Sequence, residues 1–253
     1  MLLAADNIHG LNKDIAEALR TLNPLPIQEL AVRCEKQGAK LIDINPGYLS
    51  RRNEDRMEFL VEAVQAVTSA RLILDSPNAR VLARGLSVCG ETPLLNGLSL
   101  EHEKQDEILP LAASHGTDLV LLLMDEKAIT PRTLEEKIAL ALELHELAQA
   151  AGVKTEKLIF DPVLPNLSWD DAFGRISECV KAVRLMASGA IFQEPVRTMV
   201  GLSNLRSGHW SRYPARIEQT ALSLLAGAGL SLCLGNVFDS ELMQIFSLAN
   251  TMS

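Results

Sequence analysis

The sequence predicts an α/β protein folded as one (β/α)8 (TIM) barrel that spans residues 1–253. Short apolar segments of strand length alternate with longer segments at helical spacing along the whole chain. Eight such units take about 32 residues each, and a barrel of this type typically has about 250 residues. A doubly wound open sheet is the alternative fold, but Ile8-His9-Gly10-Leu11-Asn12 lacks its glycine-rich dinucleotide fingerprint.

The predicted elements follow one another in strict alternation. The strands are expected at residues 2–6, 41–45, 72–75, 94–96, 119–124, 158–161, 199–203 and 231–235. The clearest helices are expected at residues 26–37, 53–68, 104–114, 133–150, 170–186, 215–226 and 240–248, with a weaker one near 79–87. Thr133 and Glu136 have capping-box spacing, and Gly38, Gly116 and Gly152 follow the ends of three helices.

Composition excludes several classes of protein. A formal net charge of −8 argues against a nucleic-acid backbone as the main ligand. The four cysteines are scattered without a C-x-x-C pair, which indicates reduced thiols rather than disulfides or a metal cluster. No apolar run approaches about 20 residues, and residues 1–6 lack the pattern of a signal peptide. We therefore expect a cytoplasmic protein with no membrane segment.

Aspartate and asparagine recur where the predicted strands end. Because the carboxyl ends of barrel strands share one rim, these side chains are expected to converge there. Each one alone is equally typical of a helix cap or an Asx-turn. The set consists of Asp43, Asn45, Asp75, Asn96, Asp161, Asn204 and Asn236.

The residue types in this set narrow its chemistry. It contains no lysine, no cysteine and no Ser–His pair, so covalent catalysis is disfavoured. Three or more carboxylates can hold a divalent metal, which is an alternative, but amides alternate with them around the rim. Carboxylates accept paired N–H groups, and an amide offers one donor and one acceptor. A neutral, flat heterocycle such as the 2-amino-4-oxo pyrimidine of a pterin has the matching pattern.

Five short motifs, in order along the chain, resemble those of the pterin-binding (dihydropteroate synthase-like) family. They are Asp43-Ile44-Asn45-Pro46-Gly47, Asp75-Ser76, Asn96-Gly97, Asp161-Pro162 and Gly201-Leu202-Ser203-Asn204. The pattern is most similar to that of the methyltetrahydrofolate:corrinoid methyltransferases. The resemblance implies transfer of a methyl group between N5 of tetrahydrofolate and a corrinoid (cobalamin), as in O-demethylase or acetogenic one-carbon systems. One barrel fills 253 residues, so the corrinoid is expected on a partner protein, with no metal bound by this chain.

The resemblance also implies roles for individual residues. Asn204 is expected near N5, as an electrostatic stabiliser rather than a general acid. Asp43 and Asn45 are expected to support the site from beneath or beside the ring. The residues implied in pterin binding are Asp75, Asn96, Asp161, Asp43, Asn45 and Ser203.

Strand one departs from the family pattern, because the family often has Gly-Glu-Arg-(Ile/Thr)-Asn there. This chain has Asp6 in place of the glutamate and His9 in place of the asparagine, and the arginine is absent. Further candidate site residues are His9, Arg206 as an anion ligand, and Asn236.

Residues of the predicted loops offer further contacts. Arg51, Arg52 and Arg56 are candidates for the glutamate tail of a folate or an acidic partner, or they form a solvated loop. Trp169 and Trp210 are candidates for covering a ring or a partner surface.

Two alternative functions and one assembly state complete the predictions. A dihydropteroate synthase-like enzyme shares this site. That enzyme has a lysine soon after the strand-seven serine, where this chain has Asn204-Leu205. It also has an Arg-x-His signature after the last strand, and this chain lacks that signature. A non-catalytic folate-binding accessory protein is the other alternative. Apolar outer segments at 222–225 and 243–248, together with the resemblance, favour a homodimer.

Overall fold

A closed parallel barrel organises the computed structural model, which describes residues 1–49, 53–209 and 212–252. Within these residues, eight strands pair in chain order from β1 to β8, and β8 pairs with β1 to close the sheet. The predicted (β/α)8 fold is therefore confirmed. The strands are β1 Leu2–His9, β2 Leu41–Asn45, β3 Arg71–Asp75, β4 Leu94–Leu98, β5 Asp118–Leu122, β6 Leu158–Asp161, β7 Arg197–Gly201 and β8 Leu232–Gly235.

The helices form the outer layer and agree with the predictions except near the N-terminus. They are α1 Lys13–Thr21, α2 Leu25–Lys36, α3 Arg56–Gln65, α4 Ala79–Val88, α5 His102–His115, α6 Leu134–Ala150, α7 Ala172–Ala187, α8 Arg216–Ala226 and α9 Ser240–Met252. Helix α1 was not predicted; its N-cap is Asn12, whose side chain accepts a hydrogen bond from the Asp14 N–H. β1 also extends three residues beyond its predicted end.

The helix-end signals read from the sequence are present in the structure. The Thr133 hydroxyl accepts from the Glu136 N–H at 3.3 Å, and the Glu136 carboxylate accepts from the Thr133 N–H at 3.1 Å. This reciprocal pair is the predicted capping box of α6. Gly38, Gly116 and Gly152 all have positive φ angles, which a glycine adopts without steric cost.

The barrel interior is filled in layers, because every second residue of a strand points inward. At the amino ends of the strands, the Asp118 carboxylate binds Arg71 at 2.7 Å and Arg197 at 3.0 Å. The middle layer is apolar and is formed by Ala4, Leu41, Ile73, Leu94, Val120, Ile159, Met199 and Leu232, with Leu234 of β8 in the same cluster. This layer separates the ion-pair cluster from the opposite mouth of the barrel.

The described cysteines are free, as predicted. Cys34, Cys179 and Cys233 are buried and Cys89 is half-buried. No helix in the described part of the chain is long and apolar enough to cross a membrane.

Candidate active site

A ring of polar side chains lines the carboxyl-end mouth of the barrel. These residues stand two positions after the apolar middle layer on their strands, so they point inward above it. The predicted residues Asp43, Asp75, Asn96 and Asp161 all belong to this ring, and Asp6 of β1 joins them. The only signal for Asp6 in the sequence was its position where the family often has a glutamate.

Side chains of β2 orient those of the next two strands. Asn45 Nδ2 donates to Asp75 Oδ2 at 2.8 Å, and Asn45 Oδ1 accepts from the Gly47 N–H at 2.8 Å. The Asn96 amide hydrogen-bonds the buried Asp43 carboxyl. Asp75 and Asn96 are direct neighbours in the β3–β4 register. Each of the two β2 side chains therefore contacts one of the residues expected at the pterin edge.

The turn that follows β7 brings Ser203 and Asn204 to the same mouth. The Ser203 hydroxyl hydrogen-bonds the Asp6 carboxyl. Asn204 is exposed, and its amide lies over Gly201, where a Cβ atom would stand 3.5 Å from Asn204 Nδ2. Asn166, in the loop after β6, donates to the Asn204 carbonyl at 3.2 Å and so ties the two loops together.

The acids of the ring have raised pKa values because they are buried. Burial raises the pKa of Asp6 and of Asp75 to about 6, and that of Asp161 to about 7. Burial also raises the pKa of Asp43 well above its usual value, and the charges of Asp75 and Asp6 add to the effect. Hydrogen bonds from Ser203 to Asp6 and from the Val163 N–H to Asp161, the latter at 2.7 Å, act in the opposite direction. The ring can therefore carry protonated and ionised carboxyls together near neutral pH.

Buried polar atoms without a protein partner occur in the ring and on His9 beside it. Among the described residues, Asp43 Oδ1, Asn96 Oδ1 and His9 Nδ1 are buried without a hydrogen-bond partner. Two of these atoms are acceptors, so a flat molecule with N–H groups on its edge would satisfy them. No group of three or more His, Cys, Asp or Glu side chains in the described ranges is arranged to hold a metal ion.

Two of the outer candidates have protein partners already. Asn236 is exposed, and its Oδ1 accepts from Asn7 Nδ2 at 2.8 Å and from the Phe238 N–H at 3.0 Å. Arg206 donates to the Tyr213 carbonyl at 2.8 Å and lies 3.4 Å from the Glu218 carboxylate. Arg206 is thus tied to the protein rather than left for an anion alone.

The remaining sequence candidates lie further out. His9 is half-buried at the end of β1, paired with Asn45 across the β1–β2 ladder, and burial lowers its pKa. Arg56 bonds Asp55 at 2.8 Å, and the Trp169 ring lies 4.9 Å from the Arg175 guanidinium. Arg51, Arg52 and Trp210 lie outside the described residues.

The chain is similar in sequence to proteins that act on pterins and folates. Residues 14–232 match the family described as pterin binding enzyme. A methylcorrinoid:tetrahydrofolate methyltransferase of Eubacterium limosum is 24% identical over 90% of this chain and 82% of its own length. The methionine synthase of Mycobacterium leprae is 27% identical over 68% of this chain, a match that takes in 14% of that longer protein.

Solved structures with the same fold include two dihydropteroate synthases. The Yersinia pestis enzyme with a pterine-sulfa conjugate has a TM-score of 0.70 at 18% identity, over 100% of this chain and 93% of its own. The Xanthomonas albilineans enzyme with 4-aminobenzoic acid has a TM-score of 0.70 at 18% identity, over 100% of this chain and 92% of its own. At this level of identity the likeness shows the barrel fold alone.

Proposed function

Because the chain belongs to the pterin-binding enzyme family, we propose that it transfers a methyl group between N5 of tetrahydrofolate and a corrinoid carried by a partner protein. The observation that carries this proposal is the ring of Asp75, Asn96 and Asp161, with the exposed Asn204 amide above its open mouth. The similarity to a methylcorrinoid:tetrahydrofolate methyltransferase over most of both chains supports the reaction type.

The ring residues bind the pterin edge in this proposal. Asp75 and Asp161 accept N–H groups from the ring, and the open Asn96 Oδ1 accepts another. Asn45 and Asp43 hold Asp75 and Asn96 in the orientation required. Binding in a buried, prearranged site reduces the loss of conformational freedom on association.

Asn204 acts on the reacting nitrogen. The corrinoid, when it is present, supplies the metal centre that exchanges the methyl group. The methyl group of methyltetrahydrofolate is attached to a tertiary amine, which leaves readily only when N5 carries positive charge. The Asn204 amide donates no net proton at neutral pH, but its carbonyl oxygen accepts a hydrogen bond from a protonated N5. Asn204 thereby stabilises charge at the atom where the bond to carbon breaks or forms.

The experiment compares binding with the chemical step in Asn204→Ala. Single-turnover methyl transfer from methyltetrahydrofolate to free cob(I)alamin is expected to slow by about 10²–10³-fold. Tetrahydrofolate affinity, measured by calorimetry, should stay within about threefold, because an interaction made chiefly in the transition state acts on the rate. Ser207→Ala is the matched control, since its exposed side chain belongs to the same loop; it should leave both quantities unchanged.

The other outcomes separate the alternatives. A variant that loses affinity in full proportion to rate makes Asn204 an ordinary pterin ligand. A wild-type protein that binds tetrahydrofolate but transfers no methyl group fits the non-catalytic accessory protein. A wild-type protein that does not bind tetrahydrofolate overturns the proposal. The absence of a lysine in Ser203-Asn204-Leu205 disfavours a dihydropteroate synthase-like reaction.

We also propose that the protein is a homodimer in the cytoplasm. Leu224 of α8 is 52% exposed, and Leu248 and Met252 of α9 are 62% and 87% exposed, so each of these neighbouring helices presents apolar side chains to the outside. Leu222 and Leu225 point into the core instead, which leaves Leu224 as the part of the predicted segment 222–225 available to a second copy. Four free cysteines are consistent with a reducing compartment.

A further inference from the structure

Helix α6 sends a lysine into the interior beside the site. Lys137 is 1% exposed, although the sequence around it, Glu135-Glu136-Lys137, resembles a solvated helix start. Its Nζ donates to the Pro162 carbonyl at 2.8 Å, 25 residues away along the chain. Lysine is almost never fully buried unless it is paired, because removing an ammonium from water is costly. Such a burial therefore requires a compensating role for the charge.

The loop that Lys137 contacts is the one that carries Asp161. Val163 has a φ of 55°, a conformation that is unusual for a β-branched residue. In this conformation the Val163 N–H donates to Asp161 Oδ1 at 2.7 Å and orients the carboxyl. Cys179 of α7 holds the same loop, with its Sγ 3.6 Å from the Pro162 and Val163 carbonyl oxygens. Lys137 and Cys179 thus clamp one loop from two helices.

Lys137 also places a positive charge near Asp161, and this charge lowers the pKa of the Asp161 carboxyl. Among the described residues, the titratable groups that interact electrostatically with Asp161 are Lys137 of α6, Cys179 of α7 and Cys233 of β8. Burial raises the thiol pKa of Cys179 to about 11 and that of Cys233 well above its usual value, so both thiols are neutral near pH 7. Within the described residues, Asp161 is the only acid of the ring whose pKa a cation lowers.

We propose that Lys137 is a positioning residue of the pterin site, which holds the Asp161 loop through the Pro162 carbonyl and keeps Asp161 ready to accept N–H groups of the ring. The inference rests on the proposed pterin site. It assigns a function to a helix residue that does not touch the substrate.

The test removes the charge and the hydrogen bond separately. Lys137→Met removes both, Lys137→Gln keeps an N–H donor without charge, and Lys137→Arg keeps the cation. Cys179→Ala is the matched control, because it loosens the same loop without changing any charge near pH 7. For each variant, tetrahydrofolate affinity is measured by calorimetry from pH 6 to 9. The titration of Asp161 is followed by NMR of ¹³C-labelled aspartate in the ligand-free protein.

A positioning role makes the effect depend on pH. In the wild type the Asp161 midpoint is expected at about 7, and affinity should rise as pH rises through it. In Lys137→Met and Lys137→Gln the midpoint should move up by about one pH unit, which weakens binding about fivefold at pH 7 and little at pH 9. Lys137→Arg and Cys179→Ala should keep a midpoint near that of the wild type. If Lys137→Met does not fold, Lys137→Gln provides the same comparison.

The experiment distinguishes a failure of this inference from a failure of the proposed function. A midpoint that stays near 7 in the neutral variants, or a loss of affinity that is equal at every pH, would make Lys137 a packing residue and overturn the inference. A wild-type protein that does not bind tetrahydrofolate contradicts the proposed function instead. The ligand-free titration then still shows whether Lys137 controls the ionisation of Asp161.

Discussion

Replacing Asp161 by asparagine should stabilise the ligand-free protein while it weakens pterin binding. Burial raises the pKa of Asp161 from 3.8 to about 7, so the folded state holds this proton more tightly than the unfolded chain. The free energy of unfolding therefore falls as pH rises from about 4 to about 7, and the full cost is present above that range. The gap between the two pKa values corresponds to about 4 kcal/mol.

The net gain in the free energy of unfolding of Asp161→Asn is smaller than about 4 kcal/mol. The asparagine carbonyl can still accept from the Val163 N–H, but its amide group is buried in place of a carboxyl oxygen at a cost of about 1–3 kcal/mol. A net stabilisation of about 2 kcal/mol at pH 8 remains, or roughly 4–8 °C in the melting temperature of a domain this size. At pH 5 the wild-type carboxyl is protonated, so the variant should lose most of its advantage.

Thermal unfolding at pH 5 and pH 8, together with tetrahydrofolate calorimetry, measures both effects. Loss of one charged acceptor should weaken binding by about 1.5–3 kcal/mol, opposite in sign to the change in stability. Asp118→Asn is the matched control at the other end of the barrel. Burial pushes the Asp118 pKa upward, but hydrogen bonds and charges of Arg197 and Arg71 outweigh this and hold it below its usual value.

Asp118→Asn should therefore destabilise the protein at pH 8, because it breaks ion pairs that need the carboxylate. The reasoning about the ring would be refuted if Asp161→Asn folded but melted below the wild type at pH 8. It would also be refuted if the difference in melting temperature between Asp161→Asn and the wild type were the same at pH 5 and pH 8.

Two further predictions concern binding and assembly. Asp75→Ala should cost about 2–5 kcal/mol of tetrahydrofolate affinity, since the N–H groups of the pterin would face a desolvated site without their acceptor. Unchanged affinity by calorimetry would contradict the pterin site. Leu248→Glu should convert a dimer of the 27.6 kDa chain into monomers, because the dimer would bury a charge against the apolar outer side of α9. Sedimentation of the wild type as a monomer at micromolar concentration would contradict the dimer.

Much of the fold could be read from local pattern. The strands were recognisable because inward and outward positions are both buried, and the helices because apolar residues recur at helical spacing. Helix α1 was missed because Lys13–Thr21 is short, and Ile15, Ala18 and Leu19 are its only buried residues. Its boundary with α2 depends on Asn23 and Pro24, which locally indicate only a turn.

Four residues of the ring could also be predicted from local pattern. Asp75 and Asp161 end their strands, and Asp43 and Asn96 lie two residues before the ends of theirs. Parallel strands of a barrel end at one rim, so order along the chain was enough to bring these four side chains together. The pairing irregularity between Ala5 and Ile8, which accompanies the extended end of β1, follows from the ladder with β2 and has no local signature.

Partnerships between distant charged residues were decided by tertiary structure alone. Nothing near Lys137 in the sequence distinguishes it from a solvated helix lysine; only the packing of α6 against the β6 loop buries it. The cluster of Arg71, Asp118 and Arg197 joins strands β3, β5 and β7, and Arg206 meets Glu218 through the fold of the β7–α8 segment. Strand and helix periods specify which face a residue occupies, whereas the partner that satisfies a buried charge depends on which faces the closed barrel brings into contact.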